Sequence, residues 1–82
     1  MDLLVIRHAI AEDRDAWAET GRPDTERPLT DKGRRRMRSG ARGLTTLVER
    51  IDVLATSPWT RAAETAEIVG RAFRDRAPAA IT

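Results

Sequence analysis

An α/β architecture is predicted by three features of the chain. Residues 2–9 and Ile51–Thr56 are short runs rich in apolar and β-branched residues, as buried strands are. Each is followed downstream by a segment whose apolar residues recur at helical spacings of three and four. Strands separated by helices imply right-handed βαβ crossovers and a parallel sheet. The expected order is strand, loop, helix, strand, helix. This is the βαβα portion of a three-layer α/β/α parallel-sheet domain over residues 1–82. It reads as truncated, because two strands are too few to cover two helices.

The first strand is Leu3-Leu4-Val5-Ile6, ending in Arg7-His8. His8 is the only histidine of the chain. In open α/β sheets ligands bind at the carboxyl edge of the strands, which is where this pair would lie. Imidazole is a nucleophile near neutral pH, and an adjacent arginine suits an anionic substrate. Residues 10–28 form a long charged connection, with a helical turn expected around Ala16 and Trp17 between Glu12 and Glu19. Connections of this length are usually functional or flexible.

The first long helix begins after Thr30, a good N-cap, with Asp31 complementing the positive end of the dipole. Met37, Ala41, Leu44 and Val48, with Leu47 beside them, form its apolar face, and it is expected to end near Glu49. Gly33 and Gly40 would permit close approach to the sheet. Arg34, Arg35, Arg36, Arg38 and Arg42 crowd the outer side.

After the second strand, Ser57-Pro58 reads as a helix start, Ser57 as N-cap and Pro58 as first helical residue. Arg61 then falls in the first turn. Ala62, Ala66, Val69 and Phe73 form the buried stripe, and the helix fades at Arg74-Asp75-Arg76 before Pro78. Ala79 to Thr82 could begin a third strand.

Composition narrows the functional classes. The 82 residues hold 15 basic and 13 acidic side chains, a net charge of only +2, and Lys32 is the sole lysine. Interspersed charge, and no aromatic stacking surface or reading motif beside Arg34 to Arg42, argue against nucleic-acid binding. With no cysteine and one histidine, a disulfide, a thiolate zinc site and a His-rich metal site within one chain are excluded. No apolar run nears the roughly 20 residues of a membrane span. A signal-peptide pattern is not seen, since Asp2 precedes the apolar run, so a cytoplasmic protein is expected.

On parallel strands, Arg7-His8 and the Ser57–Arg61 segment share one sheet edge. A helix N-terminus and two arginines suit a phosphate. Imidazole beside them could carry a phosphoryl group, with the arginines stabilising transition-state charge and no metal required.

Leu4-Val5-Ile6-Arg7-His8-Ala9, Arg27-Pro28-Leu29-Thr30 with Gly33, and Ser57-Pro58-Trp59-Thr60-Arg61-Ala62-Ala63-Glu64-Thr65-Ala66 closely resemble the histidine phosphatase superfamily. Among its branches they are most similar to the SixA-type phosphohistidine phosphatases. The resemblance spans nearly all of this chain and about the first half of the usual family domain. It implies that His8 is the catalytic nucleophile, that Arg7 and Arg61 bind the phosphoryl group, and that Ser57 shapes the loop near the phosphate. It implies no cofactor, and a phosphorylated protein or small phosphoester as partner. Glu64 is expected to be structural, pairing with Arg61. Glu12, Asp13 and Asp24 are candidate proton donors by position alone. The family pocket uses a second histidine from the C-terminal half, which this chain lacks. That departure keeps two further expectations open: a non-catalytic module that binds phosphate or an acidic partner, and self-association that completes the fold.

Overall fold

The structure, a computed structural model, describes residues 3–82. Helices dominate it: α1 (Arg14–Ala18), α2 (Asp31–Leu44) and α3 (Thr60–Phe73), with single 3₁₀ turns at Asp24–Glu26 and Arg74–Arg76.

The α2 start follows its sequence signals. Thr30 is extended (φ −79°, ψ 163°), and its hydroxyl oxygen accepts from the Gly33 N–H at 2.9 Å. Such a cap contributes about 1 kcal/mol. The helix stops at Leu44, five residues before the expected Glu49. Thr45 and Thr46 explain the early stop, since their hydroxyls donate to the Arg42 and Gly43 carbonyls, each at 2.6 Å. These local bonds compete with continuation of the helical ladder. Leu47 consequently leaves the apolar face and is 84% exposed.

Helix α3 begins at Thr60, with Trp59 as its N-cap residue and no side-chain capping bond. The Ser57 hydroxyl instead accepts from the Trp59 N–H at 3.4 Å, closing a turn before the helix. The expected start is therefore displaced by this Ser-turn. At the other end Arg74 takes φ 54°, breaking the helix where it was expected to fade.

α2 packs on α3. Ala41, Val69 and Phe73 are buried between them, flanked by partly buried Met37, Leu44, Val48, Ile51, Ile68 and Ala72. Leu29 is also fully covered. Burying a Val, Leu or Phe side chain contributes about 1.5–3 kcal/mol each, so these few residues supply much of the cohesion.

The parallel-sheet expectation is overturned. Among the described residues there is no strand, only two isolated bridges. One is antiparallel, Ala11 with Leu29, flanked by Glu12 N–H to Pro28 O and Thr30 N–H to Ile10 O, both 2.9 Å. The other is parallel, Ala55 with Ile81, with Thr56 N–H to Ile81 O at 2.8 Å and Ile81 N–H to Leu54 O at 2.9 Å. The run expected as the first strand has no assigned secondary structure and stands in solvent, with Leu3 89% and Val5 79% exposed; Asp2, at its start, lies outside the described residues. The physical reason is that strand preference reports packing against neighbours rather than intrinsic backbone preference. A run with nothing paired along either edge gains neither ladder hydrogen bonds nor burial. The second expected strand keeps only its bridge at Ala55, and the third only Ile81.

Gly33 does bring α2 close to another segment, although that segment is not a sheet. A Cβ at position 33 would overlap the Ile10 carbonyl oxygen, whereas Gly40 has nothing within 4 Å. The backbone that leaves Arg7-His8 is thereby pressed against the first turn of α2.

Candidate functional site

Arg7 and His8 lie in the extended N-terminal segment and are both exposed. His8 Nδ1 is 2.8 Å from the Ala9 carbonyl oxygen. A carbonyl only accepts, so Nδ1 carries a hydrogen, and in the neutral ring Nε2 is the nitrogen with the free lone pair. Ala9 is anchored in turn. Its N–H donates to the Thr65 hydroxyl at 3.1 Å, and that hydroxyl donates to the Arg61 carbonyl at 2.8 Å. The end of the His8 segment and the first turns of α3 therefore come together at Ala9 and Thr65, without a sheet between them, while the Arg61 guanidinium is engaged elsewhere. Thr65, only 5% exposed, makes this junction. Thr65 falls within the Ser57–Ala66 motif, where residue type alone assigns it no role. Its spacing of four from Arg61 is the signal, because it sets a hydroxyl over the Arg61 carbonyl.

The Arg61 side chain is 6% exposed. Its Nη1 donates to the Asp24 carbonyl at 2.8 Å and its Nη2 to the Asp24 carboxylate at 3.1 Å. Its guanidinium also stacks on the Trp59 ring, 4.5 Å from the centroid. Asp24 receives a second cation, since Arg27 Nε donates to its other carboxylate oxygen at 2.8 Å. Arg27 further donates from Nη1 to the Glu12 carbonyl at 2.8 Å, which ties both ends of the 10–28 connection together. The hydrogen bond from Arg27, with Arg61 adding its charge, holds the Asp24 carboxyl below the usual carboxylate range. Asp24 is thus ionised at neutral pH and is a poor proton donor there. Asp13 is committed to the α1 cap, accepting from the Ala16 N–H at 2.9 Å.

Ser57 is exposed and serves the turn before α3. Glu64 does not pair with Arg61. It accepts from the Leu29 N–H at 2.9 Å and from Arg34 Nη2 at 2.8 Å, and so joins α3 to the start of α2. This carboxylate raises the Arg34 pKa further. A concavity of about 340 Å³ opens beside Asp24, lined by Arg14, Trp17, Ala18 and Arg22 on the 10–28 connection. His8 does not line it. Among the described residues no three His, Cys, Asp or Glu side chains gather as a metal-binding group, and no helix is long and apolar enough to cross a membrane.

Residues 3–81 match the family described as histidine phosphatase superfamily, branch 1. The chain belongs to the histidine phosphatase superfamily. An uncharacterised protein of Picosynechococcus sp. is 43% identical to this family member over 72 residues, covering 88% of this chain and 41% of that protein. The fold is similar to the crystal structure of a protein put forward as the phosphohistidine phosphatase SixA of Agrobacterium tumefaciens. The TM-score is 0.75 at 28% identity, covering 93% of this chain and 47% of that one. This histidine phosphatase superfamily chain therefore spans less than half the length of each of these two relatives.

Proposed function

We propose that the chain supports phosphoryl transfer through a phosphohistidine on His8, hydrolysing a protein phosphohistidine or a small phosphoester. The observation that carries this reading is the contact between His8 Nδ1 and the Ala9 carbonyl, which makes Nε2 the lone-pair nitrogen of the neutral ring on an exposed residue. In the first step the Nε2 lone pair forms an N–P bond as the bond to the leaving group breaks. The leaving group departs with the electron pair and takes a proton from solvent. In the second step water attacks phosphorus, the N–P bond breaks, and phosphate leaves with His8 regenerated. Arg7 and Arg61 are the cations that would meet the three equatorial phosphoryl oxygens. Ser57 stands at the approach to α3 and is the remaining polar group assigned to the phosphate side. The similarity to the SixA structure supports phosphohistidine as the substrate class.

The test is hydrolysis of a chromogenic phosphate ester and of a phosphohistidine peptide in EDTA, with His8→Ala as the control. Turnover that disappears with His8→Ala supports the reading, and turnover indifferent to it refutes the reading. A second reading is favoured by Arg61 being already paired to Asp24. In it, the chain binds phosphate or an acidic partner without turnover. Tungstate binding in the absence of any hydrolysis would select that reading.

A further inference from the structure

We infer that Thr65 is a positioning residue for the His8 nucleophile, acting through the backbone of Ala9. The inference rests on His8 being the nucleophile proposed above. Three hydrogen bonds, two of them at the backbone of Ala9, link the His8 ring to the Arg61 carbonyl. His8 Nδ1–H donates to the Ala9 carbonyl at 2.8 Å, and the Ala9 N–H donates to the Thr65 hydroxyl at 3.1 Å. The Thr65 hydroxyl donates to the Arg61 carbonyl at 2.8 Å.

A helical threonine commonly back-bonds to the carbonyl four residues earlier and does nothing more. Thr65 differs in two respects. Its hydroxyl is buried, and it receives a second bond from a residue 56 positions away in sequence. The single hydroxyl hydrogen is committed to Arg61, so only lone pairs face Ala9, which fixes the direction of the bond. Ala9 is then held at both of its polar groups: its N–H by Thr65, and its carbonyl as acceptor for the His8 ring. The Ala9 N–H and carbonyl lie in the two peptide planes that flank its Cα, so holding the first plane at Thr65 limits the φ and ψ rotation that would turn the carbonyl away from Nδ1 and release the tautomer that frees Nε2. Thr65 also sits one helical turn after Arg61. One hydroxyl therefore sets the spacing between the attacking nitrogen and the backbone that carries the phosphate-side arginine.

The experiment uses the full chain as wild type, Thr65→Val, Thr65→Ala and Thr65→Ser, with phosphoramidate as phosphoryl donor and nitrogen-15 NMR of the His8 ring and the Ala9 amide. Thr65→Val should lower the rate of phospho-His8 formation by roughly 10- to 100-fold, by analogy with the loss of groups that orient a metal-bound imidazole, with half-saturating donor concentration little changed. The His8 ring should shift toward the Nε2–H tautomer, and Ala9 amide exchange should accelerate at least about tenfold as its bond is lost. Thr65→Ser should recover most of the rate and the tautomer. If Thr65→Val does not fold, Thr65→Ala, smaller and equally without a hydroxyl, carries the same expectations. A folded variant without the hydroxyl, with unchanged tautomer and Ala9 exchange, overturns the inference. So does a folded Thr65→Ser variant that behaves like Thr65→Val. If the wild type forms no phospho-His8, the phosphatase reading fails by itself, and the tautomer and exchange readouts still decide the role of Thr65.

Discussion

Asp24 and Arg61 are joined twice, through the Asp24 carboxylate at 3.1 Å and its backbone carbonyl at 2.8 Å. The guanidinium assigned to the phosphoryl group is thus already answered by an anion of the chain. A bound phosphate must either share Arg61 with Asp24 or displace it.

Asp24→Asn separates these roles. Removing the carboxylate charge should let Arg61 serve an external anion, so tungstate should bind several-fold more tightly by calorimetry, while thermal stability falls. Binding unchanged or weakened would show Arg61 to be a structural anchor of the 10–28 connection.

Acid should loosen the same connection. The Asp24 pKa is depressed in the folded chain, mainly by the Arg27 hydrogen bond with Arg61 assisting. Its stabilising contribution is therefore complete above the ordinary carboxylate value near 4 and is lost as pH falls below that value through the depressed one. Urea midpoints measured downward from pH 5 should decline in the wild type and decline less in Asp24→Asn.

Gly33→Ala should reverse the usual helix rule. Alanine at an interior helical glycine normally gains up to about 1 kcal/mol. Here the new methyl overlaps the Ile10 carbonyl oxygen. A loss of roughly 1–3 kcal/mol is expected in chemical denaturation, as for other overpacked sites. Gly40→Ala and Gly43→Ala, with nothing within 4 Å, should show the ordinary gain.

Arg74→Gly should stabilise. Arg74 is exposed and holds φ 54°, a region costly for any residue with a Cβ. A gain of up to about 1 kcal/mol in the same assay is expected, and a loss would mean that the Arg74 side chain has a partner role.

The helices were largely legible because their signals are local. Thr30 caps α2 through a residue three positions away, and the spacing of Val69 and Phe73 reports the buried stripe of α3 directly. The strands were not legible, since Leu3 to Ile6 has strand composition and composition cannot say what lies beside it. At the candidate site, residue type and motif propose Arg7, His8 and Arg61. What holds them could not be read that way. Asp24 reaches Arg61 across 37 positions and Thr65 reaches Ala9 across 56, distances at which no spacing rule operates. Glu64 shows the same limit: helical spacing pointed to Arg61, but tertiary packing delivered Arg34 and the Leu29 amide instead.

The uncovered run Leu3 to Ile6 has a practical consequence for anyone handling the chain. Bare β-branched and aliphatic side chains with open backbone donors and acceptors are a template for sticking, copy to copy. Concentration becomes an experimental variable in its own right. Spectra and rates recorded at millimolar protein are therefore to be compared with those recorded at micromolar, and Val5→Lys is the substitution expected to keep the two alike.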